Sequence, residues 1–211
     1  MSKDLLNPEK ALIFRIVHRD NMLEILSHGC RCRNTADRAR YVEIGNQELI
    51  VKRTGRVVPC PPGGTLSDYV PFYFTPYSPM LYNIKTGFNG IQKRPLDEIV
   101  ILVSSLRFLR ENDIPFVFSD RHAFLKTAMF SSDLAHLDRI IWETLQEKNF
   151  RRDDLERFEK YQAEALVHKH VPLEALLGAA CYNEAAKLAL KKDIDSRGLP
   201  LKVIAQPTWY L

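Results

Sequence analysis

The chain has 211 residues, 45% hydrophobic and 27% charged, with 30 Lys and Arg against 26 Asp and Glu for a formal net charge of +4. That length suits one compact domain, and the apolar share builds a core and excludes disorder. The twelve prolines and nine glycines are dispersed, no long apolar run offers a membrane span, and Met1–Lys10 has no apolar stretch of a secretory signal.

Lys10–Val17 reads as a buried opening strand, with Leu12, Ile13, Phe14, Ile16 and Val17 around Arg15. His18 to Asn21 then turns into a helix carrying Met22, Leu23, Ile25 and Leu26, with Asp20 or Asn21 as its N-cap and Gly29 just past its end. Cys30–Pro62 is polar and basic, with one short helix around Asn46–Lys52. A segment of that length and character inside a compact domain is usually functional. After the turn Pro61–Thr65, Tyr69–Phe74 is an aromatic strand whose Pro71 marks an edge or a bulge. A helix beginning at Pro79 runs over Ser78–Ile84.

Glu98–Ser104 is continuously apolar and reads as the central strand, followed by a short strand over Pro115–Ser119 and a partly helical Asp120–Phe130. Asp138–Lys160 is highly charged, with few apolar anchors. Ala163–Val167 and Ala179–Tyr182 are strands, separated by a helical turn at Leu173–Leu177. Asn183–Arg197 is an amphipathic helix with Ala185, Ala186, Leu188, Ala189, Leu190 and Ile194 as its apolar set. Leu201–Ala205 and Trp209–Leu211 close the chain as strand. Short strands with few, unevenly placed helices define an α+β class.

Several residue types could carry chemistry. The common phosphate-loop, dinucleotide, zinc-protease and serine-hydrolase motifs are absent. Cys30 and Cys32 form a C-x-C pair without a second pair at zinc spacing, and His168 and His170 have no carboxylate or cysteine frame, so no metal is expected. Reduced thiols at Cys30, Cys32, Cys60 and Cys181 point to the cytosol. From Arg31 to Arg56 there are seven basic residues (Arg31, Arg33, Arg38, Arg40, Lys52, Arg53, Arg56) against Asp37, Glu43 and Glu48, either a solvated face or a footprint for a polyanion. His18 sits where a strand gives way to a helix, a position that serves equally an ordinary turn or a ligand group. Glu164 enters an apolar strand between two alanines, which is costly unless the carboxylate is paired or used. Both readings stand at this point.

The order of several motifs is more specific. Ala11-Leu-Ile-Phe-Arg-Ile-Val-His-Arg-Asp-Asn21 is followed by Ile44-Gly-Asn46, Glu48-Leu-Ile50 and Lys52-Arg53. Then come Gly63-Gly-Thr65, Asp68-Tyr-Val-Pro-Phe-Tyr-Phe-Thr-Pro76 and Ser78-Pro-Met-Leu81. The series ends with Arg94-Pro95, Glu98-Ile-Val-Ile-Leu-Val-Ser104, Pro115-Phe-Val-Phe118 and Tyr161-Gln-Ala-Glu-Ala-Leu166. These blocks run nearly end to end, and with them the chain closely resembles the DarT family, the toxin half of DarT–DarG toxin–antitoxin pairs.

The resemblance implies an ADP-ribosyltransferase-like fold over residues 1–211: two small packed sheets, peripheral helices and an NAD cleft. It implies a toxin that transfers ADP-ribose from NAD to a base in single-stranded DNA, thymine before guanine, in a sequence-dependent manner, releasing nicotinamide and blocking replication. By resemblance, His18, Arg19 and Asp20 form the ribose end of the NAD site. Residues of about 35–53 cover NAD, Glu164 is the catalytic glutamate, and about 115–164 present the acceptor. Arg53 is implied to assist the base, an awkward role for a guanidinium that stays protonated; holding phosphate and base suits it better. Tyr73 and Tyr82 are candidates to stack on nicotinamide or to be core. Lys148, Arg151, Arg152 and Arg157 could contact a DNA backbone. Cleavage at ribose C1′ poses the electronic problem of a glycosidase, so a carboxylate beside the ribose suffices without a general acid. The implied partners are NAD, single-stranded DNA and a DarG-like, macrodomain-containing antitoxin. The alternatives are an ADP-ribosyltransferase acting on protein or RNA, or a nucleic-acid-binding module without catalysis.

Overall fold

The computed structural model describes residues 2–36 and 41–210, so Asp37, Arg38 and Arg40 of the basic cluster, with part of the 35–53 element, lie outside the described residues. In chain order the elements are α1 (Ser2–Leu5), β1 (Leu12–His18), α2 (Met22–His28), β2 (Cys30–Arg31), α3 (Gln47–Arg53), β3 (Tyr69–Tyr73), α4 (Pro79–Thr86), β4 (Ile99–Ser105) and α5 (Leu106–Glu111). They continue as β5 (Phe116–Ser119), β6 (Phe130–Ser131), α6 (Trp142–Gln146), α7 (Leu155–Tyr161), β7 (Glu164–His168), β8 (His170–Val171), β9 (Gly178–Cys181), α8 (Glu184–Asp195) and β10 (Val203–Ala205).

The most apolar runs pair with each other. β1 and β4 are antiparallel from Leu12 opposite Ser105 to His18 opposite Ile99. Eight strands share one ladder in the order β10-β9-β4-β1-β3-β7-β5-β6, while β2 and β8 pair separately. The α+β class holds, and the ladder is nearly divided in the middle. β1 and β3 share a single register pair, Phe14 opposite Tyr73. The two small sheets expected from the sequence are thus two four-stranded halves joined at that seam.

Pro71 gives the seam a physical cause. It lies within β3, inside the ladder rather than at its edge, and it has no N–H to offer β1. Its carbonyl instead accepts Arg15 Nη1 at 2.8 Å, so a side chain stands where a strand-to-strand bond would be.

Period-two alternation then sorts β3 and β7 between two faces. Val70, Phe72, Ala165 and Val167 join the main core. Tyr69 and Leu166 join a smaller cluster with Val58, Leu66, Val117 and Ala123. On the same face of β3 as Tyr69 stand Pro71 and Tyr73, and at the start of β7 stands Glu164.

Polar caps define the helix ends. Asn46 accepts Leu49 N–H at 3.0 Å to start α3, Ser78 accepts Leu81 N–H to start α4 at Pro79, and Asn183 accepts Ala186 N–H to start α8. Gly29 ends α2 at φ +69°, and a side chain there would meet the Val171 carbonyl at 2.3 Å. In α8 only Leu190 and Ile194 are buried, and Leu188 is 62% exposed despite its place in the expected apolar set.

Three readings of the sequence change. Asn21 makes no capping bond to α2; its side chain is engaged elsewhere, as described below. Asp120–Phe130 is not helical, because the Asp120 carboxylate accepts Met129 N–H at 2.9 Å and closes the stretch as a loop between β5 and β6. Trp209–Leu211, read as strand, is not one where it is described: Trp209 ends a 3-10 turn that starts at Pro207, Tyr210 lies outside any strand, and Leu211 lies outside the described residues. Lys169 at φ +59° separates β7 from β8, which places His168 and His170 on different strands. Among the described residues, no helix is long and apolar enough to cross a membrane.

Leu102 is fully buried in β4, between β1 and β9. Leu102→Ala should cost about 2–5 kcal/mol of stability, read as a lower denaturant midpoint at unchanged slope.

Candidate active site

Glu164 is the first residue of β7 and is 3% exposed. A carboxylate that deep must be compensated. Arg53, the last residue of α3, meets it as a fork: Nη1 to Oε1 at 2.9 Å and Nη2 to Oε2 at 2.8 Å. Ala123 N–H donates to the same Oε1 at 3.0 Å. His122 Nδ1, which accepts Phe124 N–H, lies 3.2 Å from Oε1. Tyr73 is directly opposite Glu164 across the β3–β7 pair.

The charges follow from these contacts. Burial acts to raise the Glu164 carboxyl, but Arg53, then His122, and the hydrogen bonds from Arg53 and Ala123 hold it below the ordinary carboxylate range. Burial acts to weaken the Arg53 cation, yet Glu164 outweighs it and keeps the guanidinium protonated. His122 is held below the ordinary histidine value, chiefly by burial, and is neutral at pH 7. Burial, with the Glu164 charge added, raises the Tyr73 phenol.

These groups close one end of a cavity of about 260 Å³ at the β1–β3 seam. Its floor includes Arg15, Tyr69, Pro71 and Tyr73; its cover is the strap from Tyr41 to Arg53, with Asn46, Leu49 and Ile50 facing in. The strap is pinned at both ends. Asn21 Nδ2 donates to the Val42 carbonyl at 2.9 Å, and Asn21 Oδ1 accepts Val42 N–H at 2.8 Å. Arg33 Nη1 reaches Glu43 at 2.9 Å. At the other end stands the Arg53–Glu164 fork.

Of the residues singled out in the sequence, Glu164, Arg53 and Tyr73 meet at this cavity. His18, Arg19 and Asp20 fall outside its lining. His18 is buried, accepts Asp20 N–H at 3.2 Å and lies 3.3 Å from Glu98, so it shapes the turn that delivers Asn21. Tyr82 is 40% exposed on the far side of α4. His122 and Ala123 are not singled out in the sequence, and Asn21 reads there only as a helix cap. Only the buried charge of Glu164 implied that such partners must exist.

The lining suits a dinucleotide. Arg31, Arg33 and Arg53 border it beside a fixed carboxylate, and the buried Ser67 hydroxyl in its wall has no hydrogen-bond partner among the described residues. A family model described as ssDNA thymidine ADP-ribosyltransferase, DarT, matches residues 14–211. The chain belongs to the DarT family. A DNA ADP-ribosyl transferase of Escherichia coli O127:H6 is 51% identical over 208 residues, covering 97% of this chain and 95% of that protein. The solved Thermus sp. 2.9 DarT in complex with ADP-ribosylated ssDNA matches with a TM-score of 0.90 at 34% identity, covering 97% of this chain and 98% of that one. The same Thermus DarT in complex with NAD+ matches with a TM-score of 0.85 at 34% identity, covering 97% and 99%.

In this DarT chain α3 contains no fully buried residue, so the fork to Glu164 ties it to the body together with the half-buried Leu49 and Ile50. Arg53→Ala or Glu164→Gln should raise amide hydrogen exchange across 47–53 while exchange in β4 stays unchanged. Equal protection in wild type and both variants would show that other contacts hold the strap.

Proposed function

We propose that Glu164 and Arg53 carry the DarT reaction in this chain, transfer of ADP-ribose from NAD to a thymine base in single-stranded DNA. The chain is an NAD-dependent DNA ADP-ribosyltransferase of the toxin type. The observation that carries the residue assignment is the buried fork between the two groups in the cavity wall. NAD supplies an activated ribose C1′ from which nicotinamide leaves as a neutral molecule.

Glu164 is built to face the positive charge that develops at C1′. Its Oε1 is held by Ala123 N–H as well as by Arg53 Nη1, while its Oε2 accepts Arg53 Nη2 and is the oxygen that can exchange that partner for a ribose hydroxyl. Released from one bond of the fork, Arg53 turns to phosphate and to the base edge, where a planar guanidinium makes two parallel hydrogen bonds. It does not take the base proton, because its pairing with Glu164 only strengthens its protonation. Neutral His122 beside Glu164 is the group suited to accept that proton, at the Nδ1 that accepts Phe124 N–H in the resting site and would exchange it for the base. Tyr73 borders the nicotinamide end, and His18, Arg19 and Asp20 support the NAD site by holding the turn from which Asn21 grips the strap.

The cavity is small for a dinucleotide, which supports an NAD-covering element of about residues 35–53 whose described strap, Tyr41–Arg53, opens to admit NAD and closes over it. Residues 115–164, within the single domain 1–211, present the acceptor. Free cysteines with burial-raised thiols, about 11 at both Cys30 and Cys181, support a cytoplasmic setting. Family membership supports a DarG-like, macrodomain-containing antitoxin as the cellular partner.

Incubation with labelled NAD and DNA, RNA or protein tests the reading. Label should follow single-stranded DNA, with a duplex of the same sequence much weaker because unpairing a base costs a few kcal/mol. Label on protein or RNA alone would overturn it. Glu164→Gln should lower kcat about 10²- to 10⁴-fold with the fold retained.

The proton assignment has its own signature. Because His122 must be neutral, kcat should fall as pH drops through a value below that of an ordinary histidine. In His122→Gln that acid limb should vanish together with most of the rate. Persistence of the limb in this variant would transfer the role to another group.

A further inference from the structure

α4 has a second face. Met80 on its first turn borders the cavity, while Pro79, Tyr82 and Asn83 border an open groove of about 700 Å³ outside it. The groove has no part in the NAD site, and its chemistry is distinctive. Tyr82 and Phe88 are 40% and 45% exposed and stand edge-to-face at 6.3 Å. Tyr82 also meets Phe150 at 5.9 Å, and Phe150 meets Tyr161 at 5.3 Å. Tyr161 is buried, bonded to the Tyr77 carbonyl, and lies three residues before Glu164.

Cations are set among these rings. Arg152 stacks between Phe88 and Phe158, at 5.0 and 5.1 Å from their centroids, and Lys148 sits 3.7 Å from the centre of Tyr77. Lys148, Arg151 and Arg152 on the lining face one acid, Glu147. Exposed aromatic faces with fixed cations are the recognition chemistry of single-stranded nucleic acid: rings take bases, cations take phosphates.

Resting on the reading of the cavity as the transferase site, we infer that this groove binds the nucleotides flanking the acceptor thymine by stacking them on Tyr82 and Phe88. Continuity favours that occupant. A helix with its side chains is about 10–12 Å across, a width that a few nucleotides of an extended single strand can span. A base in the cavity and its neighbours in the groove therefore belong to one short strand passing over the start of α4. The stacking half of the site is sequence-tolerant, so it supplies affinity and reach, and the choice of context is left to contacts nearer the acceptor.

The double variant Tyr82→Leu/Phe88→Leu keeps apolar bulk and removes both ring faces. It is to be assayed on single-thymine oligonucleotides, one long and a series trimmed from each end. For wild type, trimming one flank should raise the DNA KM, and the double variant should show a KM about 5- to 100-fold higher on the long substrate. Its NAD KM should stay that of wild type, and trimming that flank should no longer matter. A variant KM equal to that of wild type on the long oligonucleotide overturns the groove while leaving the transferase reading intact. Loss of a wild-type dimer in the variant, with DNA KM unchanged, would assign the groove to a second copy of the chain instead. A wild type that labels no DNA removes the transferase reading and the groove with it.

Discussion

A carboxylate 3% exposed at the start of a core strand is the constraint around which this molecule is arranged. Left alone, Glu164 would cost several kcal/mol or take up a proton. Three groups from two separate stretches surround it: Arg53 from the strap, and Ala123 N–H and His122 from the loop after β5. The same contacts that make the charge tolerable also fix the strap over the cavity and the loop beside it. Charge compensation and site assembly are one event, so the fork is both a structural tie and the resting state of the chemistry.

The cavity itself exists because a sheet was not allowed to close. A continuous ladder at β1–β3 would fill the space with main chain. Pro71 withholds an N–H and Arg15 takes its carbonyl, so the halves diverge after one register pair. Tyr69, Pro71 and Tyr73 then face the opening while Val70 and Phe72 stay in the core. The rigidity of both halves, each anchored in one apolar core, is what lets the polar groups at their seam hold position.

On either side of α4 the two recognition problems are kept apart. The cavity is covered, with a carboxylate, guanidinium groups and a neutral imidazole; the groove is open, with ring faces and cations. An enzyme joining a small co-substrate to one base of a long polymer needs both environments. The covered one strengthens electrostatic effects at the reacting centre. The open one lets a strand enter and leave sideways.

Local pattern was enough for much of this. Apolar strand patterns located β1, β4 and β7, Pro79 located the start of α4, and the cost of Glu164 within an apolar run marked it as paired or used. Ordered motifs pointed to the DarT family because they record the sequence of elements around the site. Other features were invisible to local reading. Asn21 has the composition of a helix cap, but its amide matches the Val42 backbone 21 residues away, a pairing that depends on how the strap folds back. Asp120–Phe130 has apolar residues at helical spacing, yet Asp120 and Glu164 take the N–H groups of Met129 and Ala123. His122 gained significance only when a loop brought it within 3.2 Å of a residue 42 positions further along. Side-chain type and spacing are properties of the chain and can be read from it. Which distant groups satisfy one buried charge depends on where the backbone returns, and that is decided only when the two half-sheets meet.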